Sequence, residues 1–198
     1  MNRVILSAST DETILAVTRQ HKLVDLEIEQ QINTEIVGCI YKGIVKNIVP
    51  AVDGIFVDIG IGKNAFLRRK DLLNEKRFPT EGSPILAQVI KSDTDMKGAL
   101  ITEKISMFGK YAVTLSGTGY IGVSKKIRQE SVRKRLKEIG KEICAEHMGL
   151  IIRTAAENAD MDEFRKDITR LKENWDIIQK RFRMEKSPTL LYRESDII

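Results

Sequence analysis

The chain has 198 residues, with 33 Lys and Arg against 28 Asp and Glu and a formal charge of +5. That length leaves room for one or two domains with a real core, and the modest basic excess permits an anionic partner without demanding one. The two widely spaced cysteines, Cys39 and Cys144, fit neither a disulfide framework nor a zinc knuckle, so reduced thiols in a cytoplasmic protein are expected.

The N-terminus has no signal-peptide pattern. No apolar run approaches the roughly 18 residues that span a bilayer, so no membrane partner is expected. Charge is concentrated locally. Lys125, Lys126, Arg128, Arg133, Lys134, Arg135, Lys137 and Lys141 crowd one stretch that holds only Glu130 and Glu138 as acids. Most of that run reads as the solvated face of a helix.

The first thirty residues read as three short strands, 3–8, 13–18 and 22–29, separated by turn-forming residues. A Gly-punctuated strand-rich segment follows, with strands expected at 36–49, 52–59, 84–92 and 97–105. Gly38 and Gly43 suggest bulges in the first of them. Residues 69–78 read as a polar segment with one helical turn, closed by a loop at Pro79, Gly82 and Pro84.

Beyond it, 111–115 and 120–124 read as a hairpin across Ser116-Gly117-Thr118-Gly119. A helix is expected over 130–146 and a strand over 149–153. A second helix is expected over 161–184, entered through Asp160 and Glu163, with Trp175 in its buried stripe. Residues 189–193 read as a last strand.

Two groups of residues carry chemistry. In Gly54-Ile55-Phe56-Val57-Asp58-Ile59-Gly60 the faces alternate, so Ile55, Val57 and Ile59 turn inward and Phe56 turns out. Phe66 does the same between Ala65 and Leu67. Outward rings beside Lys42, Lys46 and Lys63 suit single-stranded nucleic acid, with bases stacked on aromatics and lysines on phosphates.

In Gly149 to Ala155 an apolar strand ends in Arg153-Thr154, just ahead of an expected helix start. A guanidinium fork and a hydroxyl suit a phosphate, and a helix N-terminus would add positive potential. A surface salt bridge with a turn-favouring threonine fits the same residues. Asp93-x-Asp95 reads as a polar hairpin loop rather than a metal site, and His21 and His147 have no partner spacing for catalysis. No catalytic residue and no metal ligand is therefore expected.

The run Tyr41, Gly43, Val45, Ile48, then Gly54, Phe56, Val57, Asp58, Gly60, then Ala65, Phe66, Leu67 resembles the ribosomal S1-type RNA-binding domain, a five-stranded OB-fold barrel. Adding Lys97-Gly98-Ala99-Leu100, Ile121 to Ile127, Gly149 to Ala155 and Tyr192-Arg193-Glu194-Ser195, the whole chain resembles the N-terminal half of the ribonuclease E/G family of bacterial endoribonucleases.

The resemblance implies an α+β fold in three parts. Residues 1–34 would be the strands of a partial RNase H-like subdomain, 35–105 an inserted S1-type barrel, and 106–198 a mixed α/β five-prime sensor. It implies RNA contacts at Phe56, Phe66, Lys42 and Lys97. It implies a grip on a five-prime monophosphate by Arg153 and Thr154, a backbone N–H from Gly109, and Val113 behind the terminal base. Lys125 stands where the family has an arginine, which keeps the charge but loses the bidentate fork.

In that family magnesium-dependent cleavage for RNA processing and decay belongs to a catalytic domain that follows the sensor, in a homo-oligomer. This sequence is accordingly expected to bind single-stranded RNA with a five-prime monophosphate, without a cofactor of its own and without cutting. A non-catalytic S1-type RNA-binding or ribosome-associated protein, complete at this length, is the alternative.

Overall fold

The computed structural model describes residues 2–8, 12–20, 22–30, 36–94, 97–144 and 148–193. His21, Asp95, His147 and the Glu194-Ser195 end of the last motif lie outside them. The chain divides after Ile36 into two units. The first holds a three-stranded antiparallel sheet of β1 (Asn2–Ala8), β2 (Glu12–Arg19) and β3 (Lys22–Gln30), in that order.

The second unit, Val37–Arg193, begins with a closed five-stranded barrel. Its strands are β4 (Ile40–Val49), β5 (Gly54–Asp58), β6 (Ala65–Arg68), β7 (Pro84–Lys91) and β8 (Leu100–Thr102). They run β4-β5-β6-β8-β7, and pairing of β7 with β4 closes the ring. The alternation along β5 and β6 explains the inside. Val45, Ile55, Val57, Ala65, Leu67 and Ile101 are all 1% exposed or less. Each large aliphatic among them contributes roughly 1.5–3 kcal/mol by leaving water.

Gly43 marks a close approach rather than a bulge: a Cβ there would stand 2.5 Å from Val57 Cγ1 and 3.0 Å from the Asp58 carbonyl. The strand irregularity falls instead between Val45 and Asn47, and Gly38 precedes the strand at φ +83°. The polar segment after β6 does hold one helical turn, a 3-10 turn at Arg69–Asp71.

The barrel leads into an α/β region of β9 (Ser106–Phe108), β10 (Ala112–Ser116), β11 (Ile121–Val123), α1 (Glu130–Ile143), β12 (Met148–Ile152), α2 (Met161–Met184) and β13 (Thr189–Tyr192). The sheet order is β11-β12-β10-β9, so the expected hairpin between 111–115 and 120–124 does not form. Strand β12 lies between those two strands, antiparallel to β10 and parallel to β11.

The reason is physical. A strand–helix–strand crossover places β11 and β12 side by side under α1. A Cβ on Gly140 of α1 would stand 3.1–3.5 Å from Leu150, Ile121 and Ile152. The most apolar strand, Met148-Gly149-Leu150-Ile151-Ile152, takes the central place where both edges are paired.

One face of this sheet is covered. Met107, Ala112, Leu150 and Ile152 pack with Leu136 of α1 and with Phe164, Ile168, Leu171 and Ile178 of α2. Trp175 is partly buried against the same core. The start of α2 is capped by Asp160, whose Oδ1 accepts the Asp162 and Glu163 N–H groups at 2.8 and 3.2 Å. Such a cap contributes about 1 kcal/mol.

Barrel and α/β region share both sheet and core. β13 pairs with the first half of β4, and Ile40 and Leu191 join the helical core. Buried Gln88 of β7 adds a bridge by exchanging hydrogen bonds with Ser106 of β9.

Candidate nucleic-acid interface

Side chains that face each other across barrel strands share a side of the sheet. Asn47 is registered with Phe56, Phe56 with Phe66, Phe66 with Leu100, and Leu100 with Lys91. This is one transverse row on the outer wall. Phe56 and Phe66 are half-buried, with ring centroids 5.4 Å apart and planes tilted by 52°. The Phe66 ring lies over Gly54, where a Cβ would come within 2.2–2.3 Å of it. Glycine is what lets the ring lie down on the strand.

The loop carrying Lys97 is fixed beside this row. The Gly98 α-carbon stacks on the Asn64 carbonyl so closely that a Cβ would stand 1.9 Å from its oxygen. Lys63 Nζ donates to Thr94 O at 2.9 Å across the same gap. Lys97 and Lys91 are exposed. Lys46 pairs with Asp58 at 3.3 Å, and Asp58 also accepts the Gly60 N–H.

Lys42 is elsewhere. It is 9% exposed, its ammonium donates to Glu185 O at 2.6 Å, and it lies 5.1 Å over the Phe182 ring. The end of α2 and strand β13 cover that part of β4, so the outer face is not solvent there. Lys42 ties the α/β region to the barrel and does not join the aromatic row.

The second cluster forms where three backbone turns meet at one end of the α/β sheet. Arg153 extends β12, with its N–H on Tyr111 O and its Nη1 donating to Gly109 O at 2.8 Å. That bond uses one of five guanidinium N–H groups. Thr154 Oγ1 lies 3.0 Å from Ser124 Oγ, and Ser124 N–H donates to Ile152 O. Whichever hydroxyl donates in that pair, the other keeps its proton for an anion.

Arg133 pins the Ser124 turn by donating to the carbonyls of Ser124 and Ile127. Lys125 and Lys126 stand exposed on it. Buried Asp167 holds the opposite turn by accepting the N–H groups of Lys110 and Tyr111 at 3.2 and 2.8 Å. Its carboxylate comes so near Gly109 that a Cβ there would stand 2.5 Å from Oδ2. Glu163 accepts from Tyr111 Oη and Lys110 Nζ, and these bonds hold its carboxyl below the usual range.

Arg153, Thr154 and Lys125 are thus brought together, with Gly109 beside them and Val113 on β10. Two expectations change. The Gly109 N–H already donates to Ala112 O at 2.7 Å, so the residue contributes its carbonyl, as a brace for Arg153. The helix after Arg153 is a single 3-10 turn, Thr154–Ala156, and the N-terminus of α2 is filled by Asp160, so neither adds a free helix end.

Ser124, Arg133 and Asp167 were missed in the sequence. Only Asp167 left a signal, as a carboxylate in the apolar stripe of α2 between Phe164 and Ile168. Among the described residues no group of three or more His, Cys, Asp or Glu could hold a metal. Among them too, no helix is long and apolar enough to cross a membrane. Cys39 and Cys144 form no disulfide.

A closed OB-like barrel with an outward aromatic row, continued by a two-helix α/β region, defines an S1-type RNA-binding module with an α/β region built onto it. The sequence profile of the S1 RNA binding domain matches residues 34–102, and that of the Ribonuclease E/G family matches residues 106–198. Ribonuclease G of Escherichia coli (strain K12) is 33% identical over 208 residues, covering 96% of this chain and 42% of its own length. Ribonuclease E of Synechocystis is 35% identical over 172 residues, covering 82% of this chain and 26% of its own. Ribonuclease E of Buchnera aphidicola is 30% identical over 215 residues, covering 100% and 22%. The chain belongs to the ribonuclease E/G family, corresponding to its N-terminal half and carrying its RNA-binding portion. It spans less than half the length of these curated relatives.

Proposed function

We propose that this chain holds single-stranded RNA on the barrel and engages a five-prime monophosphate at Arg153, Thr154, Ser124 and Lys125. The convergence of a braced guanidinium, a paired hydroxyl and an exposed lysine at one end of the sheet carries the reading. A terminal monophosphate brings a charge of about −1.5 to −2, and an RNA ending in a hydroxyl lacks it.

Arg153 is placed to recognise that difference. Its Nη1 bond to Gly109 O orients the fork, and Asp167 fixes the turn that carries Gly109. The hydroxyl left over from the Ser124–Thr154 pair donates to a phosphate oxygen, and Lys125 adds charge without a fixed geometry. One charge-assisted hydrogen bond contributes about 1.5–3 kcal/mol, a preference of roughly 10- to 100-fold. On the barrel, Phe56 and Phe66 stack bases and Lys97 and Lys91 meet phosphates. By resemblance to the ribonucleases, these contacts serve endonucleolytic RNA processing and decay in the cytoplasm. In such a homo-oligomer, magnesium supplies Lewis-acid chemistry and an activated water when bound. Among the described residues no group of three or more His, Cys, Asp or Glu gathers to hold it.

The test is fluorescence anisotropy on two labelled RNAs of one sequence, one five-prime-monophosphorylated and one five-prime-hydroxyl, in EDTA. The wild-type chain should prefer the monophosphate at least tenfold, and Arg153→Ala should erase that preference. Equal binding of the two RNAs by the wild-type chain would contradict the phosphate reading and favour a general S1-type RNA-binding protein.

A further inference from the structure

The α/β sheet has a second face that the helices do not cover. Ile151 is registered with Val113 on one side and with Gly122 on the other, and Val113 is registered with Phe108. These residues share one side of the sheet, opposite the buried Met107, Ala112, Leu150 and Ile152. Phe108 is 54% exposed and Ile151 39%.

Tyr120 completes the row. A Cβ on Gly122 would stand 2.8 Å from Tyr120 Cε1 and 3.2 Å from its hydroxyl. The ring therefore lies against the strand at Gly122, yet Tyr120 is 65% exposed. One aromatic surface rests on the backbone and the other meets solvent. Four strands thus carry a row with an exposed aromatic at each end and, between them, the exposed Ile151 and the part-buried Val113.

Arg153 decides what covers it. Residues two apart in extended backbone point to the same side, and Arg153 is extended at φ −82°, ψ 162°. Arg153 therefore rises from the same face as Ile151, two positions further along. A flat apolar surface that runs into a phosphate-binding guanidinium and the exposed Lys125 and Lys126 is complementary to a nucleotide chain entering by its phosphate end. An apolar protein segment would gain nothing from those charges.

We infer that this face is a second RNA-stacking platform, on which Phe108 and Tyr120 hold the bases of the first nucleotides behind the five-prime phosphate. The platform rests on the phosphate reading for its direction. The resemblance to the family implies one contact here, Val113 behind the terminal base; the platform extends it to the rings on either side, Phe108 and Tyr120. Stacking needs a π face and no particular base, so the platform accepts any sequence.

The experiment uses the full chain in EDTA and ten-nucleotide RNAs in both end states, each with 5-iodouridine at position 1, 2 or 8. Photo-cross-linked peptides are identified by mass spectrometry. Affinity is measured in parallel for Phe108→Leu and Tyr120→Leu, which keep apolar bulk but remove the ring. Positions 1 and 2 should cross-link to Phe108 or Tyr120, and position 8 should not. Each variant should bind both RNAs roughly tenfold more weakly while keeping the monophosphate preference.

Cross-links at Phe56 or Phe66 alone, with silent variants, would overturn the inference even if the phosphate preference stands. A wild-type chain with no phosphate preference but with cross-links at Phe108 would sink the phosphate reading and leave the platform standing. Variants that change self-association in sedimentation without changing RNA affinity would assign the face to a second copy of this chain and overturn the inference as well.

Discussion

The barrel wall and the open face of the α/β sheet are built alike and charged differently. Each lays an aromatic ring on a glycine, Phe66 over Gly54 and Tyr120 over Gly122. Each carries a transverse row of outward side chains, Asn47-Phe56-Phe66-Leu100-Lys91 on the barrel and Phe108-Val113-Ile151-Gly122 on the sheet. On the barrel the two rings sit together mid-row and Lys91 and Lys97 lie to one side. That arrangement suits the interior of a strand of RNA, where phosphates repeat. On the sheet the rings stand apart, and the charge gathers at one end around Arg153. That arrangement suits a terminus, where one phosphate differs from the rest.

The largest effect should come from removing what holds the Arg153 cluster. In Asp167→Ala the Lys110 and Tyr111 N–H groups lose their acceptor, at a cost of about 1–3 kcal/mol each where they are buried. Urea unfolding should show a loss of about 3 kcal/mol, and the monophosphate preference should vanish with it. Unchanged stability would mean that the turn does not depend on that carboxylate. Next in size is Phe56→Ala, which should weaken both RNAs roughly tenfold in anisotropy and leave their ratio alone.

A smaller effect is expected at Lys125. Lys125→Arg supplies a planar fork and should raise the monophosphate preference a few-fold; a fall would place Lys125 away from the phosphate. The smallest effect concerns Glu103, which lies on neither face and serves as a control. Burial raises its carboxyl above the usual value, against the Leu73 N–H bond that lowers it. The ionised form is therefore disfavoured on folding, and that cost is present above the folded value and absent below the unfolded one. Glu103→Gln should raise the melting temperature slightly at neutral pH. The gain should disappear in acid, with no change in RNA binding at any pH.

The faces of the barrel strands were legible because alternation is a local rule, while the five-stranded closure came from the resemblance to the S1-type domain. Alternation sorted Ile55, Val57, Ala65 and Leu67 inward and Phe56 and Phe66 outward, and both helices followed from their stripes. What failed was non-local. Nearness in sequence to the rings, and the resemblance, put Lys42 among the RNA contacts, but β13 arrives from 147 residues later to flank β4 and α2 closes over the lysine.

Ser116 to Gly119 looked like a hairpin turn, yet only the crossover through α1 shows that β12 separates the strands it joins. At the site, Arg153 and Thr154 were legible as residue types at a strand end. Their brace was not, because Gly109 O, Ser124 and Asp167 come from three separate turns or helices. Phe108 and Tyr120 were invisible for a related reason. Their exposure depends on which strands lie beside theirs.

If the two faces do separate work, six dissociation constants show it, two of them for the wild-type chain. Phe56→Ala and Arg153→Ala are each measured on the monophosphorylated and the hydroxyl RNA. Phe56→Ala should lower both affinities by one factor and keep their ratio, while Arg153→Ala should lower only the monophosphate affinity and bring the ratio to one. If both variants weaken both RNAs by the same factor, the molecule has one undivided RNA surface and the account is wrong.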